Sequence, residues 1–574
     1  MKKGKVISWI RLLSLGLIFA LIAALAAGCG QSGAGATTTA ATTVATTAAA
    51  TTAAATTAAA TTAAPASAVQ TNPNMPSVGP YEDTQIWNMA SIQLTEGRDY
   101  NNSEDEFTMF FRNLFNMEWD MVSTPSDVWQ EKIRVWASAN DLPDYCTFDF
   151  NYVDYTNYAE QGLIKKLPDD WKTRWPGLAA AADVSVIGPM LESELGATYG
   201  LPKPIFYDLP NNPLSSHSSV WIRTDYLDTL GIEVKDVYTT SELMDIAEEM
   251  RDSDVSGLAQ RFIPIDGSTT YLNSFFITTY NPYSDRFKKM DDGKYEWGAR
   301  LEETYTGLQK YKEAYDRGLL NGDFLSLSSD QPKPNFRSGM SGMFRGEGDV
   351  GNSTSNVYNF TKDTGIPWKE AVTWITQITE DGFVNELETI NFWTLTIFSP
   401  KIDDAKFERI MDFLNFTTDP EVQLFIRLGF EGEDRDWHRD TTGEIFVHRA
   451  TDENGDFLPI GQIYTASGPM YSNATILSDD FGLKNPGIDA YQRSITQRNY
   501  DMKQKYGGDK GTIFPTDWNY RFFTAPNFDK LSIIYHESYA QIITAPGDLR
   551  VNYEKWLGDN EAVINRVLDE LNAG

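Results

Sequence analysis

The chain has 574 residues and carries 80 acidic against 48 basic side chains, a formal net charge of −32. A surface of that sign disfavours nucleic acid and anionic lipid headgroups and argues mildly against a strongly anionic ligand. The length exceeds what one hydrophobic core organises, so two or more lobes are expected. The aromatic content, 15 Trp, 27 Tyr and 31 Phe, is the strongest compositional hint. Trp and Tyr join a flat apolar face to a polar handle, which suits the C–H face and hydroxyl rim of a sugar ring. For any single ring, core packing is the commoner role.

In chain order, Met1 to Arg11 holds Lys2, Lys3, Lys5 and Arg11 and no acid, and an apolar run from Leu12 to Ala27 leads into Gly28-Cys29. A basic region, a short apolar region and small residues before a cut describe a secretory signal. The run is short for a membrane span. With Cys29 straight after Ala26-Ala27-Gly28, the segment resembles the lipobox of bacterial lipoproteins, although Ala26 stands where that family more often has Leu. The resemblance implies cleavage before Cys29, lipid on its thiol and a membrane anchor. Removing residues 1–28 deletes four positive charges, taking the chain from −32 to −36. An ordinary secretory signal and an uncleaved anchor remain the alternatives. With Cys29 engaged, Cys146 has no partner for a disulfide, so the fold relies on burial. Cys146 sits in an apolar run and reads as core.

From Gly33 to Ala64 the sequence is almost entirely Ala and Thr. It can build no core and reads as a low-complexity linker, with paired β-branched Thr opposing the helix that Ala alone favours. As flexible coil, residues 29–80 span roughly 40 Å r.m.s..

Beyond Pro80, strand and helix patterns alternate. Thr84 to Ile92 reads as a strand. Ser103 to Phe115 reads as a helix with Ser103 as N-cap and three acids in its first turn. Glu118 to Val122 is a strand, Ser126 to Ala139 a helix, and Tyr145 to Phe150 a short apolar strand. This alternation predicts an α/β fold with a largely parallel sheet. Thr239-Thr240-Ser241-Glu242 is a capping box, and Leu243, Ile246, Ala247 and Met250 form one apolar helical face. Tyr305 to Asp316 is a helix stopped by Gly318. Phe392 to Ser399 is a strand and Asp404 to Asn415 a helix. Asp419-Pro420 opens another helix as N-cap and first-turn Pro, and Gly429 ends it. Leu531 to Thr544 and Val551 to Asn572 close the chain as helices.

Several stretches resemble the extracellular solute-binding proteins of ABC importers. They are Trp136 to Asp144, Tyr158 to Leu167, Tyr199-Gly200-Leu201-Pro202, Trp221 to Gly231, Phe336 to Phe344 and the run around Asp419-Pro420. The eleven residues Trp221-Ile222-Arg223-Thr224-Asp225-Tyr226-Leu227-Asp228-Thr229-Leu230-Gly231 make the match specific. The nearest subgroup is the large LplA/LipO-like sugar-receptor lipoproteins of Gram-positive bacteria. The resemblance implies a two-lobed periplasmic-binding-protein-like fold of type II with a ligand cleft between the lobes. Its expected layout is a signal peptide over 1–28 and anchor and tether over 29–80. The first lobe then takes 81–205, the second 206–334, a return to the first 335–400, and 401–574 belongs mainly to the second lobe with the C-terminal helices.

Other motifs weigh little. Gly346-Glu347-Gly348-Asp349-Val350-Gly351 fits a dinucleotide G-x-G-x-x-G by letter, but it puts two carboxylates where pyrophosphate would sit and no strand leads cleanly into it, so it reads as a cleft-side loop. Asp452, Asn454 and Asp456 have calcium-loop spacing without the following Gly and distal Glu. Ile445 to Ile460 reads instead as a hairpin turning at Glu453-Asn454-Gly455. His217, His438, His448 and His536 show no metal-ligand spacing, and no G-x-S-x-G elbow occurs. No metal or cofactor is expected.

The implied function is capture of an oligosaccharide by a lipid-anchored monomer that hands it to membrane permease subunits. Candidate ligand contacts are Trp87, Asn101, Asp149, Tyr152, Tyr207, Trp221, Arg345, Trp393, Trp437, Trp518 and Arg521, chosen as aromatic and polar residues near strand ends, crossings and loops. A receptor for a peptide, and a surface glycoside-active enzyme with a carboxylate pair about 5–10 Å apart, are the competing readings.

Overall fold

The computed structural model describes residues 74–92, 94, 99–124, 129–150, 152–185, 187–204, 218–329, 331–347, 350–387, 392–453, 457–466, 490–507, 513–514, 525 and 527–573. The leader and the tether up to residue 73, with Cys29, lie outside them, whereas Met75 and Val78 pack against a core cluster of the first lobe. The strands are β1 (Gln85–Ser91), β2 (Met117–Val122), β3 (Tyr145–Phe148), β4 (Gly200–Pro204), β5 (Ser218–Arg223), β6 (Val237–Thr239), β7 (Ile263–Asp266), β8 (Phe287–Lys289), β9 (Tyr295–Trp297), β10 (Ser341–Glu347), β11 (Val372–Ile378), β12 (Glu386–Leu387), β13 (Phe392–Phe398), β14 (Trp437–Arg439), β15 (Ile445–Val447) and β16 (Ile513–Phe514).

Two five-stranded sheets organise the chain, one in the order β2-β1-β3-β13-β4 and the other β6-β11-β5-β10-β7. In the first, β1 pairs in parallel with β2 and β3, and β13 enters antiparallel between β3 and β4. In the second, β5 runs antiparallel to both β10 and β11, which are parallel to β7 and β6. Each sheet has apolar clusters on both faces, the mark of a helix-covered α/β lobe. Trp87, Met89, Trp119 and Tyr145 face one cluster of the first lobe, and Ala90, Cys146, Phe148 and Ile397 face the other. In the second lobe, Val220, Ile222, Ile265 and Met343 face one cluster, and Trp221, Phe344 and Trp374 the other. Cys146 is buried and free, as its apolar setting predicts.

Local sequence explains the helix boundaries. The helix Glu106–Phe115 is capped by Asp105, not Ser103: the Asp105 carboxylate accepts the Thr108 N–H at 2.9 Å, and the Ser103 hydroxyl donates to the same carboxylate at 2.6 Å. A charged acceptor suits the positive end of the helix better than a hydroxyl. The capping box forms in full. The Thr239 hydroxyl accepts the Glu242 N–H, and the Glu242 carboxylate accepts the Thr239 N–H at 2.9 Å, at the head of Thr240–Asp252. Thr239→Ala removes one half of it and is expected to cost about 1 kcal/mol, seen as a lower urea midpoint at unchanged slope. Asp419 and Pro420 open Pro420–Leu428, and Gly429, at φ +89°, closes it.

Four further expectations are corrected. Residues 335–400 are not a return to the first lobe as a block: β10 and β11 pair with β5 in the second sheet, where Phe344 and Trp374 both lie opposite Trp221, and only β13 goes back. Residues 401–466 are not second-lobe. Asp404–Phe416 and Pro420–Leu428 pack on the first lobe, where Phe413 meets Trp87 at 5.5 Å and Phe425 stacks on Phe107 at 4.7 Å. Ala490–Gly507, Tyr535–Thr544 and Leu549–Ala573 belong to the second. Ile445 pairs backward with Arg439 in the β14–β15 hairpin instead of opening a hairpin toward Ile460. An isolated antiparallel bridge, Thr451 to Phe457, flanks the expected turn, and Asn454 and Asp456 lie outside the described residues. The β14–β15 pairing also brings His438 and His448 together, their rings near-coplanar (5°) with centroids 4.7 Å apart. Strand β10 runs through Gly346 and the helix Val350–Thr364 follows, so a strand does lead into the glycine-rich stretch.

Candidate functional site at the facing strand ends

Strand direction locates the site. In the first sheet the carboxyl ends of β1, β3 and β4 lie at one edge, where β13 enters: Pro204 pairs with Phe392, and Phe148 with Leu395. In the second sheet β5 begins at Ser218 opposite Glu347 near the end of β10, and β6, β7, β10 and β11 all terminate at that side. The chain leaves the first lobe at Pro204 and enters the second at Ser218, so both carboxyl edges give onto the inter-lobe connections. The crevice outside the carboxyl ends of strands is where open α/β sheets bind ligands.

On the first-lobe edge, Asp149 follows β3. Its side chain reaches solvent, yet the surrounding protein desolvates the carboxyl and pushes its pKa up to about 6. Tyr152 follows at the start of the helix Tyr152–Glu160, and its hydroxyl donates to Glu194. Trp393 lies at the start of β13, and the Lys203 ammonium from the end of β4 sits 5.2 Å from its ring centroid. Lys203 is 3% exposed, and burial, with Arg427 near, holds its pKa well below the ordinary lysine value. Asn101, exposed, receives the Met121 N–H at 2.8 Å and donates to the Met121 carbonyl at 3.3 Å, which fixes it beside the end of β2.

On the second-lobe edge the polar groups are buried and cross-linked. Arg345 is 8% exposed; its guanidinium donates to Thr279 Oγ1 at 2.9 Å and Gln377 Oε1 at 3.1 Å and lies 3.8 Å from Glu386. Gln377 donates onward to Thr240 Oγ1 and the Phe275 carbonyl, both at 2.9 Å. Glu386 also pairs with Lys503 at 2.8 Å. Arg345 is therefore part of a structural network that ties β10, β11 and β12 together. Burial lowers the pKa of both Arg345 and Lys503, and Glu386 opposes the shift.

Thus Asn101, Asp149, Tyr152 and Trp393 lie at the first-lobe edge. Trp87 and Trp437 are 0% exposed and Trp221 is 2% exposed, all in cores. Trp437 donates its indole N–H to the Gly429 carbonyl at 2.9 Å. Core packing accounts for these three. Tyr207, Trp518 and Arg521 lie outside the described residues. Lys203, Gln377, Glu386 and Lys503 were not anticipated. The signal available was a charged or amide group inside strand-like sequence, as in Gly200-Leu201-Pro202-Lys203. Among the described residues no group of three or more His, Cys, Asp or Glu side chains is placed to hold a metal ion, and no helix is long and apolar enough to cross a membrane.

A raised carboxyl pKa has a definite sign. Asp149 is charged only above about 6. A ligand whose hydroxyls donate to the carboxylate binds more tightly as pH rises through that value, and Asp149→Asn is expected to flatten the dependence in calorimetry at pH 5 and pH 7. The same shift makes the folded state hold the proton more tightly than the unfolded chain, whose value is ~3.9. Its contribution to stability is present below that value and is lost as pH rises through about 6.

Two helix-covered lobes, each with its strand ends toward the connections that join them, are the architecture of a ligand-binding receptor class. Residues 115–424, more than half the chain, match the family profile of the bacterial extracellular solute-binding proteins, and the chain belongs to that family. No curated protein matches in sequence. Solved structures share the fold. One is the S. pneumoniae ABC-transporter substrate binding protein FusA, an EF-hand mutant in complex with fructo-nystose, at 15% identity, covering 86% of this chain and 98% of that one, TM-score 0.60. The alginate-binding protein AlgQ2 is similar at 13% identity, with 85% and 97% covered and a TM-score of 0.59. An HMO-binding ABC-transporter-associated solute binding protein from Bifidobacterium longum infantis follows at 13%, with 85% and 98% covered and a TM-score of 0.53.

Proposed function

We propose that this chain is an extracellular, lipid-anchored receptor that captures an oligosaccharide in the inter-lobe crevice and delivers it to an ABC-transporter permease. The observation that carries the reading is the first-lobe edge. There a solvent-reached carboxylate, Asp149, and an aromatic ring, Trp393, share the place where the fold binds ligands. A carboxylate accepts hydroxyls and a ring covers a sugar's C–H face. Asn101 and Tyr152 complete the first-lobe contacts. Hinge closure buries the ligand and marks the loaded state for the permease. The similar structures named above are a complex with fructo-nystose, an alginate-binding protein and an HMO-binding protein, which supports the ligand class.

The anchor is Cys29, lipidated after removal of residues 1–28, and the Ala/Thr-rich tether keeps a monomeric receptor near its permease at high effective concentration. Cys29→Ala is expected to release the protein into the medium and abolish palmitate labelling.

Calorimetry of the protein with a panel of neutral oligosaccharides, each recovered afterwards and checked for cleavage, tests the ligand reading. A uronic-acid oligosaccharide joins the panel because Lys203 puts a buried amine at the same edge. Micromolar binding of an intact sugar that weakens in Asp149→Asn is the expected result. A cleaved sugar makes the protein an enzyme, and silence across the panel with binding of peptides overturns the sugar class.

A further inference from the structure

The second lobe carries a concavity along the outer edge of its sheet. It lies beside β7, the edge strand of the second sheet, opens to solvent and encloses about 990 Å³. Ile263, the first residue of β7, and Met340, immediately before β10, line it. It runs along that edge strand, from Ile263 and Met340 at its amino end to Asn321 and Asn335, which bond Asp266 at its carboxyl end.

Its wall is fixed in two ways. Asn321 and Asn335, both buried, each donate a side-chain N–H to the Asp266 carboxylate, at 3.0 and 2.8 Å, and that carboxylate also accepts the Gly267 N–H at 2.9 Å. The Asn335 amide oxygen in turn accepts from Gln331 at 3.3 Å. The amides are oriented by a carboxylate behind them before anything binds, which is the support a binding group needs. On the other wall, Ala259 lies at φ +50°, in the left-handed region that costs a residue with a Cβ about 1–2 kcal/mol. The Asp254 carboxylate accepts the Ala259 N–H at 2.8 Å, and Asp254 is itself at φ +48°. Two non-glycine residues held left-handed within six positions make a strained turn, and such strain concentrates at functional sites. The turn brings Gln260 and Arg261 to the cavity.

The electrostatics select a neutral ligand. Arg251 is engaged by Glu248, Asp252 and the Arg317 carbonyl. Arg261 and Asp323, both exposed, contribute one charge of each sign to the lining. What remains is amide and hydroxyl groups beside the apolar surface of Phe262 and Leu320. That pairing matches a polyhydroxylated ring, which has a hydrogen-bonding rim and a C–H face. The volume lies at the upper end of the roughly 300–1,000 Å³ typical of small-ligand sites.

We propose that this concavity is a second binding site, for a short neutral saccharide, on the second lobe and separate from the crevice. The proposal stands whether or not the crevice is the transport site. Hydrogen exchange of the full chain, with and without sucrose, raffinose or maltotriose in excess and with inorganic phosphate as the charged control, reads it directly. At least one saccharide is expected to slow exchange several-fold in 258–264 and 318–328, and phosphate is expected to leave both segments unchanged. Gly322→Trp blocks the cavity with little risk to the fold, because a Cβ at Gly322 meets nothing within 4 Å. It is expected to abolish the protection, whereas Asp149→Asn leaves it intact. Protection by phosphate equal to that by sugar overturns the neutral class. Protection that survives Gly322→Trp, or no protection of these segments by any of the three sugars, overturns the site.

Discussion

Glu386→Leu is expected to destabilise the protein by about 3–5 kcal/mol, the usual cost of removing one partner from a buried ion pair. Glu386 stands in β12, on the stretch between the second-lobe strand β11 and the first-lobe strand β13. Its carboxylate faces two buried cations, Lys503 at 2.8 Å and Arg345 at 3.8 Å, and Lys503 is only 3% exposed along its side chain. Without the carboxylate both cations stay desolvated with less to offset their charge. Adding Lys503→Met to Glu386→Leu is expected to recover part of the loss, because an apolar pair of similar shape replaces the ion pair. Urea midpoints of the two single variants and the double form a cycle whose coupling energy isolates the pair. A Glu386→Leu protein within about 0.5 kcal/mol of the parent, the range of ordinary surface changes, refutes the buried-pair account.

Trp221→Ala is the second large effect, with an expected loss of about 3–5 kcal/mol. The indole is held by Trp374 at 4.9 Å, Phe344 at 5.6 Å and Phe336 at 6.2 Å between ring centroids. Its removal leaves a cavity that rigid strands β5, β10 and β11 cannot close. Trp221→Phe keeps most of the apolar contact and is expected to bind ligand with parental affinity while unfolding at lower denaturant. Loss of affinity in Trp221→Phe at unchanged stability reverses the assignment and makes the indole a ligand contact.

Most of the fold was legible in the sequence because local chemistry dictates it. The Thr239 box, the Asp419-Pro420 start and the Gly429 stop each depend on a few neighbouring residues, and each forms as read. What depended on distant pairing was not legible. Nothing within Ser341–Glu347 says that it pairs with Ser218–Arg223 more than a hundred residues earlier, so the resemblance placed it in the other lobe. The candidate site divides the same way. Asp149 and Trp393 could be placed because strand ends can be guessed, whereas Trp87, Trp221 and Trp437 were chosen for their type, and type alone does not separate a core ring from a cleft ring.

The interleaved path of the chain bears on how the protein leaves the cell. Asn572 both accepts from the Tyr295 N–H at 2.7 Å and donates to the Tyr295 carbonyl at 3.1 Å, a partner 277 residues upstream. Arg409 likewise holds Asp83 across 326 positions. Neither lobe can assemble its core from the residues that emerge first: the first waits for β13 and the helices over 404–428, the second for the final helix. Contacts of such high sequence separation form slowly. Export machinery that threads an unfolded chain therefore meets a polypeptide whose own topology delays collapse until nearly all of it is across the membrane.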